Sequence, residues 1–159
     1  MTTPSSSTTN PTDPTFRAYS ATQARAYALG RGTSHAYPPA LYSLILSHHE
    51  STGGHLGTLL DVGCGHGSAT RDLAPSFQRA IGTDPSVEMI KTAAELGGET
   101  ATGEKVRFVV GEAEACDGIE GVEEESVDVI TSAMAVCASE VSFIVSQRYF
   151  ELSKIFIVT

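Results

Sequence analysis

Three glycines at alternate positions, Gly63, Gly65 and Gly67, follow the apolar run Thr58-Leu59-Leu60-Asp61-Val62. A strand that enters such a turn needs glycine for two reasons. The turn asks for backbone angles that a Cβ blocks, and a ligand must come close to the main chain. Turns that hold a pyrophosphate space their glycines G-x-G-x-x-G and aim a helix N-terminus at the phosphates. Here the third glycine comes one residue early, and Asp61 stands two residues before the first. A carboxylate at that place repels a pyrophosphate and suits a cation, such as an amino-acid ammonium group.

A second carboxylate, Asp84, lies 23 residues after Asp61, at the end of the next short apolar run. A carboxylate at a strand tip can accept hydrogen bonds from both hydroxyls of a ribose. Pro85-Ser86 opens a helix beside it, and Met89 on that helix could pack on an adenine face. After a third apolar run, Gly111-Glu112-Ala113-Glu114 offers backbone amides and a carboxylate to an adenine amino group. Each residue also has an ordinary reading: Asp84 as a helix cap, Met89 as core, Glu114 as surface. Together, on one edge of a parallel sheet, they favour a charged nucleoside, S-adenosylmethionine, over a dinucleotide.

The elements that carry these residues follow from the apolar spacing. Residues 1–15 are mostly Ser, Thr and Pro and read as a disordered tail. Helical spacing runs from Phe16 through Tyr27 and breaks at Gly30 and Gly32. A second helix is expected after Tyr37-Pro38-Pro39, with Leu41, Leu44 and Ile45 inward, ending between His48 and Gly53. Strands are expected at Thr58–Val62, Arg79–Thr83, Lys105–Val110 and Ser126–Thr131, with helices over 67–74 and from Asp84-Pro85-Ser86 onward. Alternating strands and helices call for an α/β fold, a parallel sheet with helices on both faces.

The runs DVGCGHG (61–67), GTDPSVEMI (82–90), FVVGEAE (108–114) and VDVITSAMA (127–135) resemble, in order, the motifs of class I, Rossmann-like methyltransferases. More narrowly the chain is similar to the trans-aconitate methyltransferase group of small-molecule enzymes, well represented in fungi. The resemblance implies S-adenosylmethionine as cofactor. It places Asp61, Gly63, Gly65 and Gly67 at the methionine moiety, with Cys64 among them. Asp84 falls at the ribose, Ser86, Met89, Ala113 and Glu114 around the adenine, and Ser132, Ala133 and Met134 beside the cofactor. It also implies an N-terminal helical lid over 16–56 and a cofactor-binding core over 57–135.

The resemblance stops at Ala135, where the family continues with a His-Trp pair and this chain reads Val136-Cys137-Ala138. The sheet is therefore expected to be incomplete on its C-terminal side, with strand four as an exposed, association-prone edge and low solubility. Two readings of 136–159 stand. One is translated intron, since Val136-Cys137 can be encoded by a splice-donor sequence. The other is a diverged C-terminus in which Lys154 to Val158 supplies a fifth strand.

Composition bounds the rest. The net charge of −9 disfavours a nucleic-acid partner. Glu112, Glu114, Asp117, Glu120 and Glu123 to Glu125 form one acidic stretch, read as a solvated face. No run approaches the roughly 20 apolar residues of a membrane span, and the N-terminus has no secretory pattern. Three cysteines without a CxxC pair suit a reducing compartment, hence a cytoplasmic enzyme. Cys64 reads as packed, the His66 side chain as incidental, and His48-His49-Glu50 lacks zinc-site spacing. His35 and the tyrosines Tyr19, Tyr27 and Tyr37 could orient an acceptor, but no catalytic residue emerges and no metal is expected. The function expected is methyl transfer to a small-molecule acceptor, a carboxylate or a secondary metabolite. The alternative is a truncated, inactive fragment that binds cofactor weakly or serves only as an interaction partner.

Overall fold

The apolar runs become the strands of one sheet, and the amphipathic stretches between them become its covering helices. A computed structural model describes residues 20–31, 37–122, 126–133 and 155–158. The strands are β1 (Thr58–Val62), β2 (Arg79–Asp84), β3 (Arg107–Val110), β4 (Val129–Ala133) and β5 (Ile155–Val158). The helices are α1 (Ala21–Arg31), α2 (Pro39–Ser51), α3 (Ser68–Leu73) and α4 (Val87–Leu96). The strands lie in the order β3-β2-β1-β4-β5, and every neighbouring pair is parallel.

All five residues of β1 are buried, as the centre of a two-sided parallel sheet requires. Strand alternation sorts its side chains. Leu59 joins Tyr42 and Ile45 of α2, Leu73 of α3, and Phe77 on one face. Leu60 and Val62 join Ile81, Ile130, Ile119, Val122 and Val127 on the other. The second cluster is closed by a 3-10 turn at Ala113–Gly118 and the chain just after it.

Pro39 opens α2, where a missing N–H costs nothing, and the helix buries Tyr42, Ile45 and His49. Leu44, expected inward, is 66% exposed, because the buried stripe of α2 runs through Tyr42 instead. His49 turns back so that its Nε2 lies 2.8 Å from the His55 carbonyl oxygen. Gly54 leaves the room for that ring. Ser86 caps α4 by accepting from the Met89 N–H at 3.3 Å.

The sheet does not end at β4. Strand β5 pairs with it from Ile130 opposite Ile155 to Ala133 opposite Val158. The expectation of an exposed edge at strand four is thereby corrected, and with it the ground for association through that edge. The expected tail, His35, Met134 and residues 136–154 lie outside the described residues.

Gly82 faces the α3 side of β2, and a Cβ there would lie 2.9 Å from Phe108 Cδ1 and 3.0 Å from Cys64 Sγ. The ring of Phe108 thus fills the space that Gly82 leaves. Gly82→Ala should overpack this site and cost about 1–3 kcal/mol in urea unfolding. The loss should shrink when Phe108→Leu is added; equal losses in both backgrounds would show that the ring is not what the Cβ meets.

Candidate functional site

The C-terminal tips of β1 and β2 bring the chemistry of the sequence to one end of the sheet, with Asp61 opposite Gly82 and Val62 opposite Thr83. The loop after β1 turns over β2. Gly63 N–H and Cys64 N–H both donate to the Thr83 carbonyl, at 2.8 and 2.9 Å. Gly63, Gly65 and Gly67 adopt φ of 70°, 56° and 79°, the left-handed region that the spacing of the glycines implied. Two of the three are required for different reasons. A Cβ on Gly67 would come within 2.5 Å of Phe108 Cε1, so this glycine lets the loop close onto the sheet. A Cβ on Gly65 would meet nothing within 4 Å. That face of the main chain is open.

Asp84 sits beside the open face, partly exposed. Its Oδ2 accepts from Gly65 N–H at 2.9 Å and its Oδ1 from Ser86 N–H at 2.8 Å. Each oxygen keeps lone-pair capacity for a further donor. Burial pushes its carboxyl above the usual carboxylate range, the two amides act against that, and Glu112 adds to it.

Asp61 takes a different part from the open contact that the sequence suggests. Its carboxylate is 1% exposed, on the α3 side of the sheet. Thr131 Oγ1 of β4 donates to Oδ1 at 2.8 Å, and Thr70 Oγ1 of α3 donates to Oδ2. In this ligand-free state Asp61 pins helix to sheet under the loop. Burial pushes its pKa up to about 6, the two threonine hydroxyls oppose the rise, and Asp84 adds to it.

The remaining expected residues divide. Cys64 is packed, as read from sequence; its thiol lies near the Gly65 carbonyl, 3.6 Å away, and burial pushes it well above an ordinary thiol. Ser86 and Met89 are 1% and 3% exposed, so in this state one is a cap and the other is interior. Ala113 lies partly exposed beyond β3, and Ser132 and Ala133 end β4. The side chain of Glu114 is outside the described part of the chain.

His66 is not incidental. It is 5% exposed, its Nε2 lies 2.7 Å from Ser68 Oγ, and its ring meets Tyr27 of α1 edge-on at 5.6 Å between centroids. Helix α1 is thus seated on the glycine loop, and Arg25 reaches Glu95 of α4 at 3.2 Å. Only the loop spacing could have hinted at this; no pattern pairs Tyr27 with His66 in the sequence.

The acidic end of the sheet makes a pH prediction. Unfolded, Asp61 titrates near 3.8, and folded near 6, so the folded state holds the extra proton between them. Stability of the ligand-free chain should therefore be greatest below pH 4 as far as this group decides it. It should fall as pH rises to 6, by no more than about 3 kcal/mol at roughly 1.4 kcal/mol per pH unit. Urea midpoints across that window should fall more steeply for wild type than for Asp61→Asn, in which Asp84 still titrates in the same sense; parallel curves would remove Asp61 as the cause.

Comparison with known proteins agrees with this geometry. A family profile described as "Methyltransferase domain" matches residues 59–147, more than half of the chain. The match runs past Ala135, where the resemblance read from sequence stops. The Saccharomyces cerevisiae protein named "Probable S-adenosylmethionine-dependent methyltransferase CRG1" is 35% identical over 101 residues, 64% of this chain and 33% of that one. Methyltransferase cfoB of Aspergillus candidus is 34% identical over 102 residues, 64% of this chain and 30% of that one. The chain thus spans about a third of the length of these relatives. A candidate S-adenosylmethionine-dependent methyltransferase of Methanococcus maripaludis shares the fold, with a TM-score of 0.59 at 16% identity, over 86% of this chain and 62% of that one. With its strand order, its left-handed glycine loop and the profile match in accord, the chain belongs to the methyltransferase domain family.

Proposed function

We propose that the chain binds S-adenosylmethionine over the glycine loop and transfers its methyl group to a small-molecule acceptor. The observation that carries this reading is the open main-chain face at Gly65, flanked by Asp84 and backed by the buried Asp61. A Cβ would fill that cradle, and the two carboxylates give it the negative potential that a sulfonium and an ammonium need. A phosphorylated ligand meets repulsion there.

The cofactor supplies an already activated methyl group. The task of the protein is therefore to bind, orient and exclude water. The free lone pairs of Asp84 accept the ribose hydroxyls. Gly63 to Gly67 lie against the methionine portion, with Asp61 acting through its field from beneath. Ser86, Met89, Ala113 and Glu114 are the residues that the motif resemblance assigns to the adenine end. Helices α1 and α2 serve as the lid, with α1 anchored on His66. Ser132 and Ala133, at the end of β4, fall beside the cofactor, where the motif resemblance also assigns Met134. No residue is assigned as a base, and an acceptor that is already nucleophilic at neutral pH needs none.

An acceptor that is a small carboxylated or secondary metabolite is the finer reading, supported by the motif resemblance and by named methyltransferases in fungi among the relatives. The acidic surface argues against nucleic acid. No helix among the described residues is long and apolar enough to cross a membrane. A cytoplasmic setting fits the reduced thiol of Cys64.

Calorimetric titration with S-adenosylhomocysteine tests the cofactor site. Wild type should bind, and Asp84→Asn should weaken binding about 10- to 100-fold, the loss of charged hydrogen bonds worth about 1.5–3 kcal/mol. Gly65→Ala should weaken it at least as much. Binding unchanged in both variants, or NADH displacing the ligand, sinks the reading. Methyl transfer to a panel of small acids, amines and phenols tests the reaction; cofactor binding with no turnover on any of them would leave a binding module only.

A further inference from the structure

We propose that Arg71 is a positioning residue for the glycine loop: its guanidinium, carried back from α3 onto the His66 carbonyl, holds the His66–Gly67 peptide in the shape that keeps Gly65 open. The proposal rests on the reading of that loop as the cofactor cradle.

Three left-handed glycines within five residues make a loop with little intrinsic preference for one shape, because glycine gives up more backbone freedom than any other residue when ordered. Something outside the loop must choose the shape. Its entry is fixed by the two bonds to the Thr83 carbonyl, and its centre by Gly65 N–H on Asp84. At its exit, Arg71 makes two bonds to consecutive residues. Its backbone N–H donates to the Gly67 carbonyl at 3.0 Å, and its Nη1 donates to the His66 carbonyl at 2.7 Å.

The path of the side chain is built for this reach. The stem passes Gly98, where a Cβ would lie 2.9 Å from Arg71 Cγ, so that glycine leaves the track open. Nη1 ends 3.0 Å from the place of a Cβ on Gly67. The guanidinium is drawn partly out of water, and burial lowers its pKa against the opposing pull of Asp72 and Cys64. Among the described residues its side-chain hydrogen bond goes to a neutral carbonyl, not to a carboxylate. A half-buried cation used in that way fixes a peptide rather than balancing a charge. The opposite side of the same residue is held by Ser68 and Tyr27 on the His66 ring, so the loop tip is gripped through both main chain and side chain.

Arg71→Met keeps the stem and removes the donors. Amide hydrogen exchange on the ligand-free full chain should accelerate at least tenfold at residues 63–67 and stay unchanged in β1 and β2. S-adenosylhomocysteine should then bind at least tenfold more weakly, with Arg71→Lys falling between Met and wild type. In Arg71→Ala, millimolar guanidinium should restore affinity where the same concentration of urea does not; this arm also decides the matter if the Met variant fails to fold. Loop exchange at the wild-type rate in Arg71→Met, or affinity within twofold of wild type, overturns the proposal. Failure of wild type to bind the ligand sinks the cofactor reading instead, and the exchange rates, measured without ligand, still judge the clamp.

Discussion

The Asp61 carboxylate is the point at which sheet, helix and loop meet. It leaves β1 one residue before the turn, accepts from Thr70 on α3 and from Thr131 on β4, and is closed off from solvent. A charge in such a place costs several kcal/mol unless hydrogen bonds compensate it, and two hydroxyls compensate only in part. Its raised pKa expresses the remainder. The fold thus keeps a costly negative charge under the glycine loop, whose main chain is open at Gly65.

That arrangement ties structure to function through one field. Neutralising the charge with a proton steadies the empty protein, whereas a cation resting above would favour the ionised form and draw the proton away. If the proposed cofactor site holds, binding and proton release are coupled there. Stability withheld from the free chain becomes available when the ligand arrives.

Much of this was legible in the residues because it depends on local patterns. Periods of two and three to four residues place β1 to its observed ends and β2, α2 and α4 within one or two residues. Glycine spacing forecasts the left-handed turn. What could not be read depends on contacts between distant segments. Leu44 lost the inward face of α2 to Tyr42, whose position among Leu59, Leu73 and Phe77 is a property of the assembled core. Asp61 reads as a ligand contact because nothing in the chain announces that Thr70 and Thr131 will take both of its oxygens. Beyond its place in the glycine loop His66 has no signal, since its partner Tyr27 lies 39 positions earlier. Strand β5 was one of two readings only, since four apolar residues near the chain end do not declare a neighbour.

Asp84 arrives at its task already oriented. Two main-chain amides hold both carboxylate oxygens before any ligand is present, so docking freezes no rotor there and little of the attraction is spent on ordering the receptor. The same rigidity discriminates. An anion locked at the rim accepts bare hydroxyls, yet it has no freedom to swing aside for a ribose that carries a phosphate ester. In the proposed reading, dinucleotides bearing that extra group are turned away at the door by geometry and charge together.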